Sequence, residues 1–338
     1  MRDDGTATRR DVMVAGLGLA AALAGAAQPA AAQDPAEEFI SGDYWTKKGE
    51  IPLYLYRKKL RDVRAKGLPY RPVLFLVHGS SISSRSTFDL TVPGAGEYSL
   101  MNVFARLGYD VWTMDFEGYG RSGRSDGNSD IKSGIEDLKL ACEVVARETR
   151  QPKFHFLGES SGALRAGAFA VARPDCVDRL ILEAFVWTGE GSPTLAKRGE
   201  QLDFYRTHNR RPRDRETIRS IFVRDKPGTS DPRVAEALAD AELKFGDTIP
   251  TGTYLDMTAH LPLVDPVKVR SPVMIVRGEY DGIATEQDLL NFYAKLPNPD
   301  RQFVILPGAA HAVTLGNNRA QLWHVVHAFL SMPPRQDV

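Results

Sequence analysis

Three residues with the chemistry of a nucleophile, a base and an acid follow one another along the 338-residue chain. Ser160 is the centre of the motif G-x-S-x-G at 158–162, which is typical of a serine held with its hydroxyl exposed at a sharp turn between a strand and a helix. Asp281 and His311 lie downstream, each just after a predicted strand. A serine, a histidine and a carboxylate together allow nucleophilic acyl transfer. We therefore predict Ser160, His311 and Asp281 as a catalytic triad.

Two backbone N–H groups are candidates for stabilising the negative charge that develops during acyl transfer. The segment HGSS at 78–81 follows an apolar strand, and Ser161 follows the predicted nucleophile. The N–H groups of Ser80 and Ser161 could therefore point at the same oxygen atom and form an oxyanion hole. His78 is interpreted as a structural histidine beneath this loop.

Short apolar segments typical of buried strands alternate with helical patterns over most of the chain. The segment 130–147, for instance, repeats its apolar residues at the spacing of one helix face. Such alternation predicts an α/β fold with a doubly wound, mostly parallel sheet and helices on both faces. In such a sheet the residues that follow the strands meet at one edge, which would bring the predicted triad together. The strands are predicted at 43–48, 51–58, 73–77, 111–116, 154–157, 177–186, 273–276 and 303–306.

A polar, arginine-rich stretch at about 187–265 interrupts the alternation and is helical in pieces. Because it follows a strand that should end near Ser160, we predict a helical cap inserted within a single domain at 34–338. Its arginines are interpreted as a solvated face, with carboxylate recognition by one of them as the alternative. These arginines are Arg206, Arg210, Arg211, Arg213, Arg215 and Arg219, and the residues expected to roof the site are Phe204, Tyr205, Phe222, Tyr254 and Met257.

The motifs together resemble the α/β-hydrolase fold family of serine hydrolases, from about residue 50 to the C-terminus. The resemblance implies an esterase-like or lipase-like enzyme that cleaves small-molecule carboxylic esters through an acyl-enzyme and needs no cofactor. Two features depart from the pattern: Glu117 stands where many relatives have arginine, and a Gly-Gly-Gly loop is lacking. The matching motifs are HGS at 78–80, DFEGYGRS at 115–122, GESSG at 158–162, GEYD at 278–281 and GAAH at 308–311.

Two other functions stay open at this point. Hydrolysis of a carbon–carbon bond in a diketone-like substrate uses the same triad. A non-catalytic ligand-binding protein can also be built on the same fold. The complete set of serine, histidine and carboxylate favours an enzyme over a binding protein.

Two carboxylates compete for the place beside His311. Glu183 lies near the end of a predicted strand, where dehalogenase-type relatives carry their acid. Asp281 lies in a G-x-x-D turn after the penultimate strand, which frees its side chain from the sheet. We therefore favour Asp281 and keep Glu183 as the alternative acid.

Composition excludes several classes of protein and site. The 43 basic and 43 acidic residues give a net charge of zero, which does not favour binding to nucleic acid. Cys142 and Cys176 are too few for a disulfide scaffold or a four-cysteine metal site, and buried free thiols are favoured over one disulfide. No metal is predicted at His324 and His327. The G-x-G-x-x-G at 118–123 lacks the helix start that a dinucleotide site requires.

Residues 1–33 have the features of an export signal. Arg9 and Arg10 precede an uncharged run at 12–27, and an A-x-A sequence at 30–32 offers a cleavage site. The pattern resembles a bacterial twin-arginine signal. We expect a periplasmic or secreted mature protein without stable membrane insertion.

Overall fold

The computed structural model describes residues 38–61 and 71–333. The predicted export signal at 1–33 lies outside these residues. Within the described ranges, no helix combines the length and the apolar character needed to span a membrane.

An eight-stranded sheet forms the centre of the described structure, in the order β1-β2-β4-β3-β5-β6-β9-β10. β1 and β2 form an antiparallel hairpin and β2 pairs antiparallel with β4, whereas the other pairs are parallel. This architecture confirms the predicted α/β-hydrolase fold. The strands are β1 (Phe39–Lys48), β2 (Ile51–Leu60), β3 (Val73–Val77), β4 (Asp110–Met114), β5 (Phe154–Glu159), β6 (Val177–Glu183), β9 (Val273–Gly278) and β10 (Arg301–Leu306), with a separate antiparallel pair β7 (Arg210–Pro212) and β8 (Thr248–Pro250).

Helices cover both faces of the sheet and supply the segment between β6 and β9. Short 3₁₀ turns at Leu243–Phe245, Pro266–Lys268 and Val313–Leu315 complete the regular structure of the described residues. The α-helices are α1 (Ser84–Phe88), α2 (Leu100–Arg106), α3 (Ile131–Thr149), α4 (Ser161–Ala172), α5 (Pro193–Gly199), α6 (Leu202–Thr207), α7 (Arg215–Val223), α8 (Pro232–Glu242), α9 (Gly252–Ala259), α10 (Glu286–Ala294) and α11 (Arg319–Leu330).

Helix α3 shows how local sequence sets the boundaries of an element. The side chain of Asp130 accepts a hydrogen bond from the N–H of Ser133 at 2.7 Å, which caps the first turn. The helix ends at Arg150, whose φ of 59° is left-handed. The helix therefore begins well after the glycine-rich segment 118–123. This late start was predicted from the sequence and does not fit a dinucleotide site.

The core lies on both sides of the sheet because β3 contributes alternate side chains to each face. Phe75 packs with the residues of α3, α4 and α10. Leu74 and Leu76 pack on the opposite face with the residues of α2 and α11. All five residues of β3 are buried, as a central parallel strand requires.

The segment between β6 and β9, which we call the cap, contains α5 to α9 and the β7–β8 pair. The strand predicted at 177–186 ends earlier, at Glu183, because Ala184 takes a positive φ of 49° and the chain turns there.

The interpretation of the cap arginines as a solvated face is wrong for two of them. Arg211 and Arg213 are buried, because Arg211 lies over the Tyr254 ring and Arg213 pairs with Glu242.

Both cysteines are buried free thiols, as the sequence favoured. Cys142 lies on α3 and Cys176 just precedes β6. They pack into the same side of the core.

Candidate active site

Ser160 sits at a strained turn between β5 and α4. Its φ of 58° and ψ of −123° lie outside the regions that non-glycine residues usually adopt. Gly158 and Gly162 make the turn possible, since a Cβ on Gly162 would lie 2.1 Å from the carbonyl oxygen of Val77. A Cβ on Gly158 would meet the carbonyl of Gly162 at 2.4 Å. The G-x-S-x-G spacing is therefore required by backbone packing.

The structure brings the three residues of the predicted triad together. Ser160 Oγ lies 3.0 Å from His311 Nε2, and His311 Nδ1 lies 2.8 Å from Asp281 Oδ1. The same Asp281 oxygen accepts the N–H of Ile283 at 2.9 Å. Burial alone would raise the pKa of Asp281, but the charge and hydrogen bond of His311 lower it below its usual value. Asp281 is therefore held as a carboxylate that orients the imidazole.

Burial of this triad differs from the expectation of an exposed serine hydroxyl. Ser160 is 9% exposed, and His311 and Asp281 are buried as well. The cap residues Arg198, Ile221 and Arg224 line the space above Ser160. The turn alone would expose the hydroxyl, and the cap covers it.

The residues predicted for the oxyanion hole lie beside the nucleophile. Ser80 Oγ donates a hydrogen bond to Ser161 Oγ at 2.6 Å, and the Tyr119 hydroxyl donates to the carbonyl of Ser80 at 3.1 Å. These contacts fix the loop after β3 against the first turn of α4. Among the hydrogen bonds of residues 38–61 and 71–333, none uses the backbone N–H of Ser80 or Ser161. Both N–H groups are therefore free to bind a substrate oxygen.

His78 has a structural place below this loop. Its Nε2 accepts the N–H of Phe116 at 3.2 Å, and its ring packs against Phe116 and Tyr119. Burial, together with the charge of Arg165, lowers the pKa of His78 to about 3. His78 is therefore a neutral packing residue and does not reach the triad.

Glu183, the alternative acid, lies near the triad without a hydrogen bond to His311. Its side chain is fully buried, and neither carboxyl oxygen has a hydrogen-bond partner among the described residues. Burial and the nearby carboxyl groups of Glu159 and Asp281 raise the pKa of Glu183 well above its usual value. Burial and the charge of Asp281 also raise the pKa of Glu159 to about 7, although a hydrogen bond from Thr314 opposes this. The surroundings of Glu183 therefore favour its neutral form, and it is Asp281 that forms the hydrogen bond with His311.

Two neighbouring cavities near the nucleophile share part of their lining. The one at Ser160 has a volume of about 40 Å³. A chamber of about 600 Å³ lies between cap helices and the loop after β9. Arg198 and Arg224 line both spaces, so they separate the nucleophile from the larger chamber. The chamber is lined by Pro193, Thr194, Lys197, Arg198, Gln201, Tyr205, Ser220, Arg224, Asp225, Tyr254, Tyr280 and Gly282.

The residues expected to roof the site divide into two groups. Tyr205 and Tyr254 line the chamber, with ring centroids 5.4 Å apart. Phe204 instead stacks on His208, and Phe222 and Met257 are buried within the cap. The two tyrosines therefore line the chamber, whereas the cap residues that line the cavity at Ser160 are Arg198, Ile221 and Arg224.

Arg198 and Arg224 are site residues that the sequence analysis missed. Arg198 lies on α5, and Arg224 follows α7. They are distant along the chain, and neither belongs to a recognisable motif. No sequence signal separates them from the other arginines of the cap.

One group of side chains could reach a single metal ion within the described ranges. Potential ligand atoms of Asp225, Asp281 and His311 all lie within 4.8 Å of one another. The hydrogen bond between His311 and Asp281 and the contact of Arg224 Nε with Asp225 at 3.2 Å already use these groups. The arrangement is explained by the triad and its neighbours. His324 and His327 do not belong to this group.

A sequence profile of the family described as Hydrolase_4, serine aminopeptidase, S33, matches residues 90–318. The chain belongs to this family. The match covers more than half of the chain and includes all three residues of the triad. This S33-family protein is thus a member of a hydrolase family.

A curated relative gives a more distant comparison. The S33-family chain is 30% identical over 135 residues to the 2-hydroxy-6-oxononadienedioate/2-hydroxy-6-oxononatrienedioate hydrolase of Paraburkholderia phymatum. The alignment covers 37% of this chain and 38% of the relative, so it spans less than two fifths of that protein's length.

Solved structures with the same fold are similar over most of the chain. The thioesterase domain from the curacin biosynthetic pathway has a TM-score of 0.59 and 17% identity, covering 86% of this chain and 99% of the domain. E-2-(acetamidomethylene)succinate hydrolase has a TM-score of 0.61 and 18% identity, and the match covers 87% of this chain and 100% of that hydrolase. An esterase from Thermogutta terrifontis has a TM-score of 0.58 and 19% identity, and the match covers 86% of this chain and 98% of the esterase. At these identities the likeness establishes the fold of the S33-family protein and no more.

Proposed function

We propose that this protein is a serine hydrolase that cleaves carboxylic esters through an acyl-enzyme. The observation that carries the proposal is the pair of hydrogen bonds from Ser160 to His311 and from His311 to Asp281, at 3.0 and 2.8 Å. The geometry fits a His311 that donates from Nδ1 to Asp281 and accepts the serine proton at Nε2. The substrate is a small-molecule ester, and the chemistry requires no cofactor.

Acylation begins when Ser160 Oγ attacks the ester carbonyl carbon and transfers its proton to His311 Nε2. The carbonyl oxygen becomes negatively charged and accepts hydrogen bonds from the N–H groups of Ser80 and Ser161. When the tetrahedral intermediate collapses, the bond to the alcohol oxygen breaks. The departing alcohol takes the proton from His311 Nε2, and the acyl group remains on Ser160.

Deacylation repeats these steps with water as the nucleophile. His311 takes a proton from the attacking water, and the same N–H groups stabilise the second oxyanion. Collapse releases the carboxylic acid and returns the proton to Ser160 Oγ. Asp281 stabilises the imidazolium during both steps.

Substitution of the nucleophile tests the proposal. In Ser160→Ala, we expect hydrolysis of para-nitrophenyl acetate and labelling by a fluorophosphonate to disappear while the circular dichroism spectrum is unchanged. Ser331→Ala is the matched control, because Ser331 is exposed at the end of α11. Full activity or labelling in the folded Ser160→Ala variant contradicts the proposal.

Carbon–carbon bond hydrolysis is the second candidate, and the curated relative favours it. The name of that relative describes a keto acid with two carboxyl groups and no ester, so its hydrolysis breaks a carbon–carbon bond. A diketone-like substrate tested beside short and long acyl esters distinguishes the two activities. Turnover of the diketone at a higher kcat/KM than every ester would favour the second candidate.

We further propose that the protein acts outside the bacterial cytoplasm. Support comes from the paired Arg9 and Arg10 before an uncharged run and an A-x-A sequence. Fractionation of bacteria that express the full chain tests this. We expect activity in the periplasm or medium, and its retention in the cytoplasm when both arginines are replaced by lysine. Equal export of that variant contradicts a twin-arginine route.

A further inference from the structure

The cap places arginine side chains without carboxylate partners beside the candidate nucleophile. Within the described residues, no ion pair to a carboxylate involves Arg198 or Arg211, whereas Arg213 and Arg215 have such pairs. Arg198 lies 4.3 Å from the Tyr254 ring centroid, and Arg211 lies 4.0 Å from it. The ring therefore lies within cation–π distance of two cations.

Arg211 has little access to water. It is 8% exposed, its Nη2 donates to Ser81 Oγ at 2.9 Å, and its Nε has no hydrogen-bond partner among the described residues. Among the described residues, Arg198 has one polar contact besides the ring, from Nη1 to the sulfur of Met257 at 3.7 Å. A buried guanidinium without an anion is unfavourable, as at Arg211. The half-buried Arg198 also lacks a carboxylate partner among the described residues, so both groups are available to bind an anion.

The charged residues that line the chamber are mostly cationic as well. Lys197, Arg198 and Arg224 line it, and the one carboxylate on its wall is Asp225, which contacts Arg224 Nε at 3.2 Å. Although burial alone would raise it, the charges of Arg198 and Arg211 lower the pKa of Tyr254 to about 7. The surroundings of this phenol therefore favour a negative charge.

We propose that the substrate carries a carboxylate group, which Arg198 and Arg224 bind where the chamber meets the catalytic cavity. This inference rests on the proposed hydrolase function, since it treats the chamber as the space for the substrate. A guanidinium group binds a carboxylate through two parallel hydrogen bonds, which gives it orientation as well as charge recognition. The carboxylate belongs to the acyl part or to the leaving alcohol, and the experiment separates these two cases.

Two pairs of esters test the inference on the wild-type protein. The mono-para-nitrophenyl ester of adipate is compared with its branched methylheptanoate analogue, which has the same shape and no charge. Para-acetoxybenzoate is compared with para-isopropylphenyl acetate, which places the carboxylate in the leaving group instead. We expect kcat/KM for the charged ester to be higher by about 10- to 100-fold in one of the pairs. No preference for the charged ester in either pair overturns the inference.

Variants identify the residues responsible. In Arg198→Gln and Arg224→Gln, we expect the ratio of kcat/KM for the preferred charged ester to kcat/KM for its neutral analogue to fall by about tenfold or more. Arg206→Gln is the matched control, because Arg206 lies in the cap, is exposed and does not line the chamber. An unchanged preference in both folded chamber variants overturns the assignment.

A binding measurement separates this inference from the proposed function. Calorimetry with adipate itself, and with uncharged adipamide as the control ligand, requires no turnover. We expect adipate to bind, adipamide to bind more weakly by about tenfold or more, and Arg198→Gln to remove the difference. Adipate binding without any ester hydrolysis contradicts the proposed function and supports the anion site. Ester hydrolysis without adipate binding or a charge preference supports the proposed function and contradicts the anion site.

Discussion

The triad and the cluster of Arg198 and Arg211 around Tyr254 in the cap, which we call the arginine cluster, are built in different ways. The residues of the triad follow β5, β9 and β10, and backbone geometry fixes each of them at the same edge of one sheet. Their polar contacts are paired: serine to histidine, and histidine to aspartate. The arginine cluster instead brings together Arg198, Arg211 and Tyr254 from α5, β7 and α9, and among the described residues neither arginine has a carboxylate partner.

Under the proposed function, this difference assigns the reaction to the triad and the choice of substrate to the cap. A paired network on rigid strands is complete before a ligand arrives, as preorganised catalysis requires. An unpaired cation in a cavity is completed only by a ligand. Changes in the triad should therefore affect every substrate, whereas changes in the cap should separate one substrate from another.

The acid of the triad should give the largest effect and the sharpest test of this division. In Asp281→Asn we expect kcat to fall by about 10⁴, because the amide no longer holds the histidine tautomer that accepts the serine proton. Glu183→Gln should retain near-normal kcat, because the carboxyl group of Glu183 makes no hydrogen bond to His311. Steady-state kinetics on one neutral ester measures both. An inactive, folded Glu183→Gln beside an active Asp281→Asn would reverse the assignment.

The buried carboxyl groups should make the sheet edge sensitive to pH. The folded protein keeps the proton of Glu159 up to about pH 7, whereas the unfolded chain releases it near its usual 4.5. The free energy of unfolding therefore falls as pH rises through this window, and the loss is complete above about pH 7. It amounts to about 1.4 kcal/mol for each pH unit within the window.

Urea unfolding of Glu159→Gln and the wild type at several pH values checks this. We expect the variant to gain free energy of unfolding relative to the wild type between pH 5 and 8, by ~2–3 kcal/mol. Glu50→Gln is the control, since Glu50 is exposed in the turn between β1 and β2. A difference between Glu159→Gln and the wild type that does not change with pH contradicts the raised pKa.

The smallest effect is expected from an apolar change in the chamber. Tyr205→Leu should alter the ratio of kcat/KM values for long and short acyl esters by about tenfold, because Tyr205 lines the chamber and the triad is untouched. Phe204→Leu is the matched control on the same helix, since its ring stacks on His208 instead. Equal losses on every ester in Tyr205→Leu would place Tyr205 outside substrate selection.

The sequence predicted the parts of the molecule whose constraints are local. The G-x-S-x-G motif, the strand before it and the carboxyl ends of β9 and β10 together indicated Ser160, Asp281 and His311. The spacing could not show that Ser160 is covered, because that depends on how cap helices pack over the sheet. Arg198 and Arg224 were equally hidden, because their meeting depends on tertiary packing between α5 and the end of α7.

The indole of Trp187 has a consequence for how such a chain can change over evolutionary time. Its Nε1 donates to the carbonyl of Val264 at 3.2 Å, so the two ends of the cap lie within the reach of one side chain. Asp288 on α10 holds the departing strand end through the N–H groups of Trp187 and Thr188, each at 3.0 Å. An insertion whose ends lie this close can be exchanged for a longer or shorter one at little entropic cost to the rest of the fold. The triad can thus be inherited unchanged while the cap is replaced.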